Sequence, residues 1–406
     1  MTAGAPGGRE DAQASDLLSA VQAELPAAAK LRHQIHRHPD LGGHEEPTAA
    51  AIAAALGAAD APRVTQGRLI GIGDGPGPLV AIRAELDALP VTETTGAPWA
   101  SVNGAMHACG HDVHMAALVA VGRALQQAGG PRPALAVLQP REESLPSGAR
   151  DIVESAELAA RPVGAFLGVH LHPSLPAGTI AVQAGPVNAS ADDFTVTITG
   201  QPGHAAYPQL ARDPIVAAAA TVMALQHLIS RRINPMHPAV LTVGALRAGT
   251  VSNAIPEKAV LEGTLRAFDE ADRAQLHDTV RQTAALTAQA YGCSADVSIG
   301  LGEPVLRNDA ALAAATAPWL ARLGLDPAGD MRSCGSDDFA FYNGAFPSLM
   351  CFVGVGDRPV PGLHHPGFLP PDEAIFDVAR VMLGAYLGAC DVLADQDPAR
   401  AAASST

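Results

Sequence analysis

The strongest constraint on how this 406-residue chain can fold is a change of rhythm near Gly185. Before it, stretches of helical periodicity at 16–38, 47–58, 113–128 and 147–159 alternate with apolar runs bounded by Gly and Pro. Those runs, 79–84, 134–138 and 165–169, read as strands, and the alternation predicts an α/β domain with a mainly parallel sheet. After Gly185 the order becomes strand 193–199, helix 213–231, strands 239–247 and 258–267, helix 270–290 and a strand near 294–299. That β-α-β-β-α-β order predicts a ferredoxin-like α+β unit. Beyond Gly300 the first rhythm returns, with a helix at 309–323, a strand at 348–353 and a last helix at 372–394. The expected organisation is a leader at 1–14, a discontinuous catalytic domain at 15–186 and 300–398, and an inserted lid at 187–299. The AAASST end reads as a frayed tail.

Composition narrows the function classes. Hydrophobic residues make up 48% of the chain and charged residues 17%, enough to bury a large core. A formal net charge of −15 argues against a general affinity for nucleic acid or anionic membrane, which needs a basic surface. Five scattered cysteines, Cys109, Cys293, Cys334, Cys351 and Cys390, argue against a disulfide framework and for a reducing compartment. All but Cys109 read as inert packing residues. The N-terminus lacks the apolar core of a secretory signal, and the longest apolar stretch, 215–229, reads as too short to span a bilayer. The expectation is a cytoplasmic protein.

The densest chemistry is MHACGHDVH at 106–114, just before a predicted helix. Local hydrogen bonding rarely explains three imidazoles, a thiol and a carboxylate within a few residues, because each buried nitrogen needs a partner. Cys109 is read either as a thiolate nucleophile with a His base or, with His111, as a soft-donor metal site. QPREE at 139–143 and GVHLHP at 168–173 both follow apolar strands, and so does RAELDALP at 83–90. Alone, a Glu pair is usually a solvated turn and a lone His a satisfied core residue. Together, at the carboxyl ends of parallel strands where sites form, they favour a metal centre over a cysteine nucleophile. LHHPGF at 363–368 adds two more imidazoles. His204, in GQPGHAAYP, and Asn253, in SNAIP, are read evenly as turn chemistry or as substrate contacts. In and just after the Gly-rich 71–77 stretch, Pro76 and Pro78 stand where a phosphate loop needs amide donors, so it reads as a hairpin turn. HEEP at 44–47 lacks the second His of a zincin helix.

With HRHPDLG (36–42) and GSDDFAFY (335–342), these motifs run in a fixed order that resembles the amidohydrolase branch of the dinuclear metal aminoacylase/carboxypeptidase family. The likeness spans residues 16–395. It implies a zinc-aminopeptidase-like catalytic domain plus a lid. It also implies two divalent ions (Zn, Mn, Ni or Co) on Cys109, His111, Glu143, His170 and His364, with His365 a competing ligand beside the last. Glu142 matches the general base that serves a metal-activated water, and His204 and Asn253 match lid residues that steady the substrate. The implied activity is hydrolysis of N-acyl amino acids or similar small amides by a homodimer or homo-oligomer. The alternatives are a metallo-carboxypeptidase or dipeptidase, a cysteine hydrolase, or an inactive binding relative. Two departures bear on substrate preference. Glu85 stands where the family often has Asp, and 144–147 (SLPS) replaces a glycine-rich stretch.

Overall fold

The computed structural model describes residues 6–356 and 361–396, which form two compact units. One unit runs through Gly185 and takes in Arg307–Met331 and the chain from Phe341 onward; the other comprises Pro186–Leu306 and Arg332–Ala340. The tail at 401–406 lies outside the described residues.

The first unit is built on an eight-stranded sheet. Its centre is four parallel neighbours in the order Ala134–Gln139, Leu79–Glu85, Val163–His172 and Ser348–Gly354. Apart from the first residues of two of them and His172, these strands are buried along their length. That is what strands covered on both faces require, and it explains their unbroken apolar runs. The helices Pro6–Arg37, Glu46–Ala55, His111–Ala128, Ala310–Arg322 and Glu373–Asp395 join the sheet in one core. Register places Glu85 opposite Gln139, so both strands stop at the same level. The sheet is α/β and mainly parallel, as the alternation predicts.

Three readings need correction. Residues 71–77 do not form a hairpin turn, because Gly67–Ile72 and Leu79–Glu85 both flank Ala134–Gln139 and do not pair with each other. The crossover through His111–Ala128 returns the chain beside Leu79–Glu85 and occupies the place a hairpin partner would take. Residues 6–14, read as leader, are helical, the first helix starting at Pro6. The 215–229 stretch belongs to a 19-residue helix, Pro214–Arg232, which is long and apolar enough to cross a membrane by length and composition. Its Ala217, Ala218, Thr221, Leu225 and Leu228 are buried in the second unit, which accounts for the apolar face.

In the second unit Ala239–Ala248, Lys258–Ala267, Asp192–Thr199 and Ser294–Leu301 form an antiparallel sheet in that order. Helices Pro214–Arg232 and Glu270–Ala290 complete the ferredoxin-like unit. Phe194, Val196 and Ile198 alternate inward along one strand, giving it a half-buried pattern. Asp213 and Asp269 cap the two helices, accepting from the Ile215 and from the Ala271 and Asp272 amides. Asp192, 2% exposed, ties strand to helix: it accepts from Arg273 Nη2 at 2.6 Å and Nε at 2.8 Å, and lies 2.7 Å from His277 Nε2.

Burial opposes ionisation of Asp192, but Arg273 and His277 outweigh it and hold its carboxyl below the usual range. A depressed folded pKa contributes stability above the unfolded value, lost as pH falls through the folded one. Asp192→Asn should therefore destabilise the second unit by about 3 kcal/mol at neutral pH. Hydrogen exchange across 270–290 reads this directly, and the difference from wild type should close on acidification below the ordinary Asp range.

Candidate metal centre

Four segments of the first unit bring their side chains together. Gly110 takes φ 86°, which glycine adopts freely, and hands the chain into the helix that His111 opens. A Cβ on Gly110 would meet Leu171 Cδ1 at 3.0 Å, so the close approach also demands glycine. Glu142 and Glu143 sit in the turn after Ala134–Gln139, and His170 near the end of Val163–His172. His364 is held by its own N–H, which donates to Ala108 O at 2.9 Å.

The donor atoms converge in two groups that share Cys109. Cys109, His111 and His170 form one, and Cys109, Glu143 and His364 the other; within each, the potential ligand atoms lie within 4.8 Å of one another. Cys109 Sγ is 3.4 Å from His170 Nε2, and His364 Nε2 is 3.2 Å from Glu143 Oε1. His365 turns elsewhere, its Nδ1 accepting from Gly367 N at 3.0 Å. Glu142 Oε2 lies 3.8 Å from His111 Nε2, and Glu142, Glu143 and His111 form a further group. In the second unit, His204 and Asn253 meet across a short antiparallel pair. His204 stands opposite Ala254, and Ala205 N donates to Asn253 O at 3.1 Å. The His204 ring is exposed.

The tautomers point donor lone pairs inward. A carbonyl only accepts, so His111 Nδ1 donates to Asp87 O at 2.9 Å and His170 Nδ1 to Leu171 O at 2.6 Å. That leaves His111 Nε2 buried with no hydrogen-bond partner. The electrostatics are those of a site short of positive charge. Burial pushes the Cys109 thiol well above its ordinary range, and Glu143 and Glu142 push it further. For His111, burial is outweighed by Glu85, Asp87 and Glu143, which raise its pKa. Burial takes His170 down to about 3, so it is a neutral imidazole. A thiolate nucleophile needs electropositive surroundings, and Cys109 has the opposite. An orphaned imidazole nitrogen and a thiol among carboxylates fit a divalent cation, which would itself favour the thiolate.

Several supporting residues had no role assigned from sequence. Asp87, besides its carbonyl on His111, accepts from Glu143 N through Oδ2 at 2.9 Å. Glu85, completely buried, pairs with Arg83 and accepts from His114 Nδ1 at 2.9 Å. His114 Nε2 in turn accepts from Leu171 N at 3.1 Å. Beside His111, Asp112 Oδ2 takes Arg32 Nε at 2.8 Å and lies 3.0 Å from His36 Nδ1. The quoted motifs contain Glu85, Asp87, His114, Asp112 and His36, so the signal was present without its meaning. Among the other cysteines, Cys293, Cys351 and Cys390 are buried. Cys334 is exposed, which corrects its reading as a packing residue.

Residues 81–387 match the model of peptidase family M20/M25/M40. The chain is 36% identical over 354 residues to an N-acetylcysteine deacetylase of Bacillus subtilis, covering 85% of this chain and 92% of that protein. It is 32% identical over 367 residues to an N-acetyldiaminopimelate deacetylase of a Geobacillus species, covering 88% and 96%. A Bacillus subtilis structure described as a dinuclear metal binding peptidase from the M20 family superposes with a TM-score of 0.80. It is 32% identical and covers 92% of this chain and 99% of that one. With its parallel sheet and its donor cluster at the strand ends, this chain belongs to peptidase family M20/M25/M40.

Proposed function

We propose that the protein is a metal-dependent amidohydrolase that cleaves N-acyl amino acids, N-acetyl amino acids foremost, to a carboxylate and a free amino acid. The observation that carries this reading is the pair of donor triads sharing Cys109 with Glu142 beside them. Cys109, His111 and His170 would hold one divalent cation, and Cys109, Glu143 and His364 the other, drawn from Zn, Mn, Ni or Co. Such cations supply Lewis acidity and lower the pKa of a water. The relatives named for N-acetylcysteine and N-acetyldiaminopimelate deacetylation support the substrate class.

The chain's own residues do the rest. Glu142 accepts at its carboxylate the proton shed by the attacking water and delivers it to the leaving nitrogen. Asp87 and Leu171 fix the tautomers of His111 and His170 through their carbonyls. His204 and Asn253 are assigned the steadying of substrate and of the developing oxyanion. The full reading includes a cytoplasmic homodimer or homo-oligomer. Its support is the family resemblance and five cysteines that are all free.

Glu142→Gln should lower kcat on N-acetyl amino acids by about 10²–10⁴-fold while metal content, measured by elemental analysis, stays at the wild-type level. Retention of most of kcat would remove Glu142 as the base. Chelation should abolish hydrolysis and added Zn, Mn, Co or Ni should restore it, whereas iodoacetamide should leave the metallated enzyme active. Loss of activity to the alkylating agent with indifference to chelator would favour a cysteine hydrolase. A fully metallated sample inert towards N-acetyl, N-benzoyl and indoleacetyl amino acids would favour a binding relative. His204→Ala should cost at least tenfold in kcat/KM with metal content unchanged; wild-type kcat/KM would make His204 a turn residue only.

A further inference from the structure

The turn that carries Glu142 is strained. Arg141, the residue before it, has φ 50°, a left-handed conformation that a long side chain adopts only when its surroundings impose it. The chain imposes it from both sides of the peptide. Gly148 N donates to Arg141 O at 3.1 Å, and the Arg141 guanidinium is engaged by Asp151. The Arg141 N–H donates to Glu45 Oε1 at 2.8 Å. Glu45 is completely buried and sits at the start of the helix Glu46–Ala55, where its own carbonyl accepts from Ala49 N at 2.8 Å. A carboxylate on a rigid element is a strong acceptor for one particular amide.

We propose that Glu45, from the otherwise unassigned HEEP stretch, is a positioning residue. By holding the Arg141 N–H it fixes the left-handed turn that presents the Glu142 carboxylate. The inference rests on Glu142 being the base. It concerns orientation, so it predicts a loss in kcat without matching losses in substrate affinity or bound metal, because misplacing a reacting group acts on the chemical step.

Two variants separate reach from charge. Glu45→Gln keeps an acceptor oxygen at the same distance, and Glu45→Asp keeps the charge but withdraws it by one methylene. Glu45→Asp should lower kcat about 10–100-fold with KM and metal content within twofold of wild type, and Glu45→Gln should retain at least half of kcat. Wild-type kcat in Glu45→Asp would overturn the proposal. So would a fall in kcat matched by lost metal or raised KM. Should Glu45→Asp fail to fold, Glu45→Ala decides, because it withdraws the acceptor from the Arg141 N–H without placing another charge there. A tenfold or greater loss of kcat with KM and metal content within twofold of wild type then supports the role, and near-wild-type kcat overturns it. Glu142→Gln assayed alongside keeps the two readings apart. If it is inactive while Glu45→Asp is normal, only the positioning role falls; if it is active, the base and the positioning role fall together.

Discussion

Four carboxylates, Glu85, Asp87, Glu142 and Glu143, crowd the carboxyl ends of two adjacent parallel strands, and the surrounding structure is organised around compensating them. Two like charges about 4 Å apart repel by roughly 4 kcal/mol even at the effective dielectric of a protein surface. Glu85, Asp87 and Glu143 meet this in different ways. For Glu85, burial is overcome by Arg83 and His114, which hold it ionised. Asp87 is drawn both ways: burial raises its pKa and Glu143 adds to that, while His111, 3.7 Å from its Oδ1, works against them. Glu143 is kept low, against burial, by His364 and His111. A thiol and an imidazole lone pair stand among these carboxylates, a donor set that fits a divalent cation.

The same crowding bears on the proposal that Cys109 is a metal ligand. Burial alone takes the Cys351 thiol up to about 12, with no carboxylate involved. Cys109 is equally enclosed and faces Glu142 and Glu143 as well. A nucleophilic thiolate would have to form against both effects, whereas a thiol that holds a cation would lose its proton only as the cation arrives. The geometry agrees, since Cys109 is common to both donor groups.

Much of this was legible in the sequence because strand ends are legible. Residues 134–138 read as a strand, which put Glu142 and Glu143 at its end. His170 followed by the same logic, and Cys109 and His111 stood out as donors that core packing rarely explains. What was not legible depends on register and on which backbone atom a side chain meets. Nothing in the spacing of Glu85 and His114 says that one will hold the other, or that His114 will accept from Leu171 N. The 71–77 stretch failed for the same kind of reason: turn residues announce a reversal, not the strand that will lie between its arms. His204 and Asn253 were legible as turn residues, and the pairing of their two short strands joins those turns without deciding what they touch.

The departure at 144–147, where a glycine-rich stretch gives way to SLPS, shows how the chain reapportions conformational freedom. Glycine is retained only where space forbids anything else: a Cβ on Gly148 would lie 1.7 Å from Pro140 O. The left-handed residue of the turn is instead Arg141, which glycine would fill with less strain and less definition. A flexible turn would let the Glu142 carboxylate sample many orientations, and ordering it would cost entropy at each reaction cycle. A strained turn clamped by Glu45, Gly148 and Asp87 spends that entropy during folding. Placing an arginine where a glycine would be comfortable is therefore consistent with a base whose direction matters more than its mobility.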